Sequence, residues 1–260
     1  MKRLLLFIDG SAADRESLRY ATQLHQRLNG HLTVGYLRTG EAKVGSVARA
    51  IDVAQRAAAS ARQAFDETCG SLDTTRWLDS DQMSEETLQH EGRLHDLTVL
   101  ARISQDEGSD VFALNTALFD SGGPVLVAPP QPPASVADRV ALVWSPSAQA
   151  ARATRSAIPL LKQASSVVIL TNSERQDSKP EALQDYLATH GVRAETEVFD
   201  AARQTARGRG RAILSAVRDQ GADLLVMGAY GENRLISIFG LGRTTQKIVS
   251  GSPVPVIVQR

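Results

Sequence analysis

The residues best suited to chemistry stand near the end of the chain. Asp223-Leu-Leu-Val-Met-Gly-Ala-Tyr-Gly231 is followed by Gly240-Leu-Gly242-Arg-Thr-Thr245. An apolar run that empties into a glycine-rich loop and then a helix start can hold phosphate groups on backbone N–H donors. Such a cradle needs positions without a Cβ where backbone meets oxygen closely, or where φ is positive. Gly228, Gly231, Gly240 and Gly242 supply them, Arg243 adds charge and Thr244 a hydroxyl. The same residues also admit a structural reading. Gly228 and Gly231 then turn the chain out of a strand, and Gly240-Leu-Gly242 caps or kinks a helix start. No Walker A loop is present. Gly240 to Thr245 also fails as a dinucleotide fingerprint, since its sixth residue is threonine and no strand leads directly into it.

A second candidate is Asp9, in Leu5-Leu-Phe-Ile-Asp-Gly-Ser11. Its carboxylate can bond a sugar hydroxyl or an adenine amine. Asp-Gly-Ser at a strand end is equally ordinary turn and N-cap chemistry. A third is the run from Arg203 to Arg211, whose four arginines fall near an expected helix N-terminus. Positive charge there opposes the helix dipole by roughly 0.3–1 kcal/mol per site. A bound anion would relieve the conflict, and a solvated surface loop is the alternative.

Other chemistries find little support. His25, His31, His90, His95 and His190 are scattered, and His90-Glu-Gly-Arg-Leu-His95 does not match a zincin pattern. No G-x-S-x-G elbow occurs and no paired carboxylates mark strand ends. The single cysteine, Cys69, excludes an intramolecular disulfide and a C-x-x-C pair, and reads as an inert residue at a helix end. No residue set reads as catalytic, so a binding protein is expected rather than an enzyme, with no metal site.

These residues need elements to position them, and the chain repeats its elements. Leu5 to Ser11 aligns with Ala141-Leu-Val-Trp-Ser-Pro-Ser147. Asp96-Leu-Thr-Val-Leu-Ala101 aligns with Asp223 to Gly228, and Gly123-Pro-Val-Leu-Val-Ala128 with Ser252-Pro-Val-Pro-Val-Ile257. Between the copies lies Ala128-Pro-Pro-Gln-Pro-Pro-Ala134, a stiff extended connector. The expected domains are 1–130 and 135–260, with a proline-rich linker at 131–134. A length of 260 residues suits two such units.

Each copy alternates short apolar runs with amphipathic stretches. Strands are expected at 4–9, 31–37, 73–78, 96–101 and 124–128, then 138–144, 166–171, 192–199, 223–227 and 254–258. Helices are expected at 13–29, 46–69, 82–93 and 109–120, then 148–163, 179–190, 210–220 and 243–250. Leu18, Ala21, Leu24 and Leu28 recur at helical spacing, with Ser11 as N-cap and Asn29-Gly30 as the stop. Alternation of this kind gives parallel sheets covered on both faces. Pro253 and Pro255 mark the last run as an edge, or as a strand paired on one side only.

Composition is that of a globular protein, 42% hydrophobic and 22% charged, with 29 basic and 29 acidic residues. A net charge of zero provides no long-range field toward nucleic acid or an anionic membrane, and neither partner is expected. The apolar run after Met-Lys-Arg stops at Asp9, short of a secretory signal, and no stretch has transmembrane length. A cytoplasmic location is expected.

Phe7-Ile-Asp-Gly-Ser11, Ala222 to Gly231 and Ala150-Ala-Arg-Ala-Thr-Arg-Ser-Ala-Ile-Pro-Leu-Leu161 together resemble the universal stress protein family in its tandem form. The resemblance covers nearly the whole chain. It implies an α/β fold of two tandem doubly wound parallel-sheet domains, of the adenine nucleotide alpha hydrolase type, with strand order 3-2-1-4-5. It also implies a ligand at the carboxyl ends of strands 1 and 4, where such sheets change direction. ATP-binding members carry G-x2-G-x9-G-(S/T) and an aspartate after strand 1. On that pattern the nucleotide-binding residues are Met227, Gly228, Gly231, Gly240, Gly242, Arg243 and Thr244, with Asp9 as the aspartate, ATP as ligand and magnesium as its companion.

This chain departs from the pattern in both copies. Nine residues after Gly231 the next position is Leu241, flanked by Gly240 and Gly242. Trp144-Ser145-Pro146 stands where the second copy should have Asp-Gly, and Ala101-Arg-Ile-Ser104 replaces the first copy's glycines. The resemblance implies a stress-associated regulatory or binding protein, an intramolecular pseudo-dimer through the fifth strands or a homo-oligomer, and a nucleotide sensor in the second copy. The alternatives are a ligand-free interaction module, with Leu235-Ile-Ser-Ile-Phe239 docking a protein partner, and a slow ATP-hydrolysing enzyme using Glu232 and Thr244.

Overall fold

The structure is a computed structural model that describes residues 1–37, 47–79, 85–102, 108–173, 178–201, 204–229 and 242–260. The chain divides into two compact units, Met1–Pro132 and Pro133–Arg260.

The first unit runs β1 (Arg3–Ile8), α1 (Asp14–Arg27), β2 (His31–Tyr36), α2 (Val47–Thr68), β3 (Thr75–Trp77), α3 (Glu85–Arg93), β4 (Leu97–Ala101), α4 (Gly108–Asp120) and β5 (Val125–Ala128). Its strands lie in the order β3-β2-β1-β4-β5 and pair in parallel. The second unit repeats the scheme with β6 (Arg139–Val143), α5 (Ala148–Leu161), β7 (Ser166–Asn172), α6 (Pro180–Thr189), β8 (Glu195–Phe199), α7 (Ala206–Asp219), β9 (Leu224–Gly228), α8 (Arg243–Gly251) and β10 (Val256–Gln259). Its order, β8-β7-β6-β9-β10, is the same 3-2-1-4-5 arrangement, again parallel.

The central strands are apolar throughout because helices cover both of their faces. Leu4, Leu5, Leu6 and Ile8 on β1, and Leu224, Leu225 and Val226 on β9, are buried. By contrast β8, at the margin of its sheet, leaves Val198 57% exposed. Pro253 and Pro255 lie ahead of β10 rather than within it, so they cost the ladder no donor.

The recurrent Asp-Leu of the two copies has a structural cause. The Asp96 carboxylate accepts from the backbone N–H groups of Lys2 and Arg3, and Asp223 accepts from those of Asp138 and Arg139 at 3.0 Å each. Each aspartate ties the amino end of one strand to that of its neighbour, at the edge of the sheet opposite the loops.

The helix stop at Asn29-Gly30 is a Schellman motif. Gly30 N–H bonds the His25 carbonyl and Asn29 N–H that of Gln26, with Asn29 left-handed at φ 48°. The N-cap expected at Ser11 is not there: α1 is preceded by Ala13, with no side-chain cap. The helix turns in later than the Ser11 position allows, and Asp14 in its first turn reaches back to the N–H groups of Asp9 and Gly10, which lie before the helix.

Charge is divided between the units. Met1–Pro132 holds 13 basic and 18 acidic residues, a net of −5, and Pro133–Arg260 holds 16 and 11, a net of +5.

Candidate functional site

In the second unit, β6 and β9 are neighbours at the point where the strand order reverses, and their carboxyl ends open toward the loops. Met227 closes the buried part of β9 at 5% exposure, and Gly228 ends the strand. A Cβ at Gly228 would lie 2.5 Å from the backbone nitrogen of Ala150 and 2.8 Å from the carbonyl carbon of Gln149. The first turn of α5 presses directly on this residue. Glycine is required at 228 for helix-on-strand packing whether or not a ligand is near. Gly231 and Gly240, with Leu235 to Phe239 and Glu232, lie outside the described residues.

The start of α8 is different. Gly242 is its N-cap, at φ −60° and ψ 142°, a conformation open to any residue. Among the described residues no side chain caps the helix, and nothing lies within 4 Å of the position a Cβ would take at Gly242. The first intrahelical bond runs from Gln246 N–H to the Gly242 carbonyl at 2.9 Å. The N–H groups of Arg243, Thr244 and Thr245 therefore have no acceptor within the helix. Arg243 is exposed beside them. The Thr244 hydroxyl donates to the carbonyl of Ala206 at 3.0 Å, which ties the first turn of α8 to the first turn of α7.

Ser145 stands at the position of the expected aspartate, and the residue before it, Trp144, donates its indole N–H to the Ser178 carbonyl at 2.7 Å. Ser147 then caps α5, its Oγ accepting from Ala150 N–H at 3.2 Å. The sequence Trp-Ser-Pro-Ser thus carries a serine, its hydroxyl 3.3 Å from that of the capping Ser147, where a carboxylate would have met a sugar.

In the first unit, Asp9 accepts from Ser11 N–H at 3.0 Å, a local turn contact. The carboxylate that organises this corner is Asp14, which no motif singles out. It is 1% exposed and accepts from Gly10 N–H at 2.7 Å and Asp9 N–H at 3.3 Å. Burial first, and the charge of Asp9 second, push its pKa up to about 7. Gly10 sits at φ +85°, and a Cβ there would lie 2.4 Å from the carbonyl oxygen of Ala57 on α2. The signal in the sequence was an acid five residues after Asp9, in the first turn of an expected helix. On the neighbouring strand, Arg102 stands after Ala101, and burial lowers its pKa.

Cys69 follows the end of α2, buried, with its thiol pushed up to about 11 by burial. That is the environment of an inert thiol. His95 is enclosed between the Glu91 carbonyl and the Thr33 hydroxyl, and burial lowers its pKa. Among the described residues, no group of three or more His, Cys, Asp and Glu could hold a metal ion, and no helix is long and apolar enough to cross a membrane.

Two copies of a doubly wound parallel sheet, each opening at a switch point between its first and fourth strands, define a tandem α/β protein of the nucleotide-binding type of fold. The profile of the universal stress protein family matches residues 137–260. The second half of the chain carries the profile of that family, and the first half repeats the same fold. A universal stress protein from Archaeoglobus fulgidus DSM 4304 superposes with a TM-score of 0.75 at 19% identity, over 99% of this chain and 96% of that one. A chain from Pseudomonas aeruginosa UCBPP-PA14, named as a universal stress protein, gives 0.55 at 18% identity over 100% and 93%. A protein of unknown function from Pseudomonas aeruginosa PAO1 gives 0.54 at 16% identity over 100% and 92%. No curated protein matches the chain.

Proposed function

We propose that the chain is a stress-associated binding or regulatory protein of the universal stress type, whose second unit holds the phosphates of an adenine nucleotide at the start of α8. The observation that carries this reading is the glycine N-cap. Gly242 leaves three backbone donors and the positive end of a helix without an acceptor among the described residues, at the carboxyl edge of the sheet, with Arg243 alongside. Magnesium would accompany the phosphates of ATP. Binding rather than turnover is the expected activity, and the cytoplasm the expected setting.

Titration calorimetry with ATP and magnesium tests the reading, run on wild type and Gly242→Asp. Aspartate is a preferred N-cap, and its side chain has space here, so the variant folds at least as well as wild type. Its carboxylate also fills and repels the phosphate position. Micromolar binding by wild type that weakens at least tenfold in Gly242→Asp supports the site. An absence of heat in wild type, or equal binding in both, overturns it.

Ser145 favours a second reading, a ligand-free interaction module, because it takes the place of the nucleotide-side carboxylate. Ser145→Asp separates the two. A gain in ATP affinity means that a nucleotide site persists and was weakened by the missing carboxylate.

A further inference from the structure

The arginine run of the second unit is helical. With Thr205 as N-cap, its hydroxyl accepting from Gly208 N–H at 3.1 Å, α7 begins at Ala206. Arg207, Arg209 and Arg211 therefore lie within its first two turns, where they oppose the helix dipole. Arg203 is outside the described residues. A groove of about 620 Å³ runs along one face of this helix, lined by Gln204, Thr205, Gly208, Arg211, Ala212, Ser215 and Arg218. That volume is of ligand size.

The lining has one chemical character. Arg211 and Arg218 stand two turns apart on the same face, about 10 Å along the axis. Gly208, Ala212 and Ser215 put no bulk between them, and Thr205 and Ser215 add hydroxyls. Among the described residues no carboxylate lines the groove, and none occurs anywhere from Thr205 to Arg218. Among the described residues neither arginine has an ion-pair partner, although arginines of the first unit such as Arg15, Arg56 and Arg62 do. The groove is also separate from the α8 start. Gly210 is the position that faces α8, where a Cβ would lie 3.0 Å from Lys247 Cβ, and residues 208, 211, 212 and 215 occupy the other side of α7.

We propose that this groove is a second anion site, which takes a small phosphate-bearing ligand between the guanidinium groups of Arg211 and Arg218. Arginine suits the role because its planar fork meets phosphate oxygens in pairs and stays charged at every relevant pH. The proposal does not depend on nucleotide binding at α8.

The test is calorimetry with inorganic pyrophosphate at fixed ionic strength, on the full chain carrying Gly242→Asp, so that the α8 start is closed. The expected result is one binding event, weakened at least tenfold by Arg211→Gln with Arg218→Gln. Both arginines sit on the helix surface, so the pair of changes leaves the far-ultraviolet circular dichroism unchanged. Ser215→Glu, which places a carboxylate in the floor, gives the same loss by a different route. No heat in the Gly242→Asp chain, or an affinity that ignores both the arginine and the Ser215 changes, overturns the proposal. Pyrophosphate binding by wild type that disappears with Gly242→Asp alone assigns the anion to α8 and overturns it as well.

Discussion

At the scale of single residues, the described glycines of the sequence motif divide by what surrounds them. Gly228 faces the backbone of α5 at a distance no Cβ tolerates, whereas Gly242 faces open space. Gly228→Ala is therefore expected to cost about 1–3 kcal/mol through overpacking, and Gly242→Ala about 0.5–1 kcal/mol in a urea melt, as the poorer N-cap and not through any clash. The sequence shows two glycines of equal standing, because the pressing atoms belong to Gln149 and Ala150, some 80 positions away. Asp14 was hidden for a similar reason. Its partners are backbone N–H groups of Asp9 and Gly10, which no side-chain pattern displays. Its folded pKa of about 7 lies above the 3.8 of an ordinary aspartate. Between those values the folded chain keeps a proton that the unfolded chain has released. The stabilisation this provides is complete at the acidic end and is lost as pH rises through about 7, at a slope of at most about 1.4 kcal/mol per pH unit. Asp14→Asn, which is uncharged at every pH, is expected to flatten the dependence. Urea midpoints of the two proteins at pH 5 and pH 8 check this, and parallel pH profiles would contradict it.

At the scale of elements, strand and helix periodicity was legible nearly everywhere, since long amphipathic helices between short apolar strands leave few alternatives. Boundaries moved where a cap decided them. The start of α7 shifted from an expected 210 to Ala206 because Thr205 caps it, although three arginines then enter the first turns against the dipole. That cap has a larger share of the work than usual. Thr205→Ala is expected to cost about 1 kcal/mol, and to raise hydrogen exchange in the first turn of α7 first. Ser147→Ala at α5 is expected to cost a similar amount, with exchange rising next to Gly228, because α5 leans on that residue. The β1–α1 corner was read wrongly at Ser11, since serine is a good cap in isolation and only the three-dimensional turn shows α1 starting after Ala13, with Asp14 holding the N–H groups of Asp9 and Gly10.

At the scale of the whole molecule, the tandem order was legible from the proline-rich stretch and the three aligned pairs of segments, because each strand of one copy has a counterpart of similar burial in the other. The division of charge was not, since a formal net charge of zero conceals −5 in one unit and +5 in the other. Both anion sites argued above fall in the basic unit. Hydrogen exchange with and without pyrophosphate is therefore expected to show added protection at α7 and α8 and none between β1 and β5. Protection spread evenly over both units would contradict that assignment. The same division has a kinetic consequence. An anion approaching from beyond the protein's own dimensions meets cancelling charges, so no long-range attraction draws it in. Within about a Debye length of the basic unit its +5 takes over, so steering toward Arg211 and Arg218 acts only on close approach and weakens as ionic strength rises.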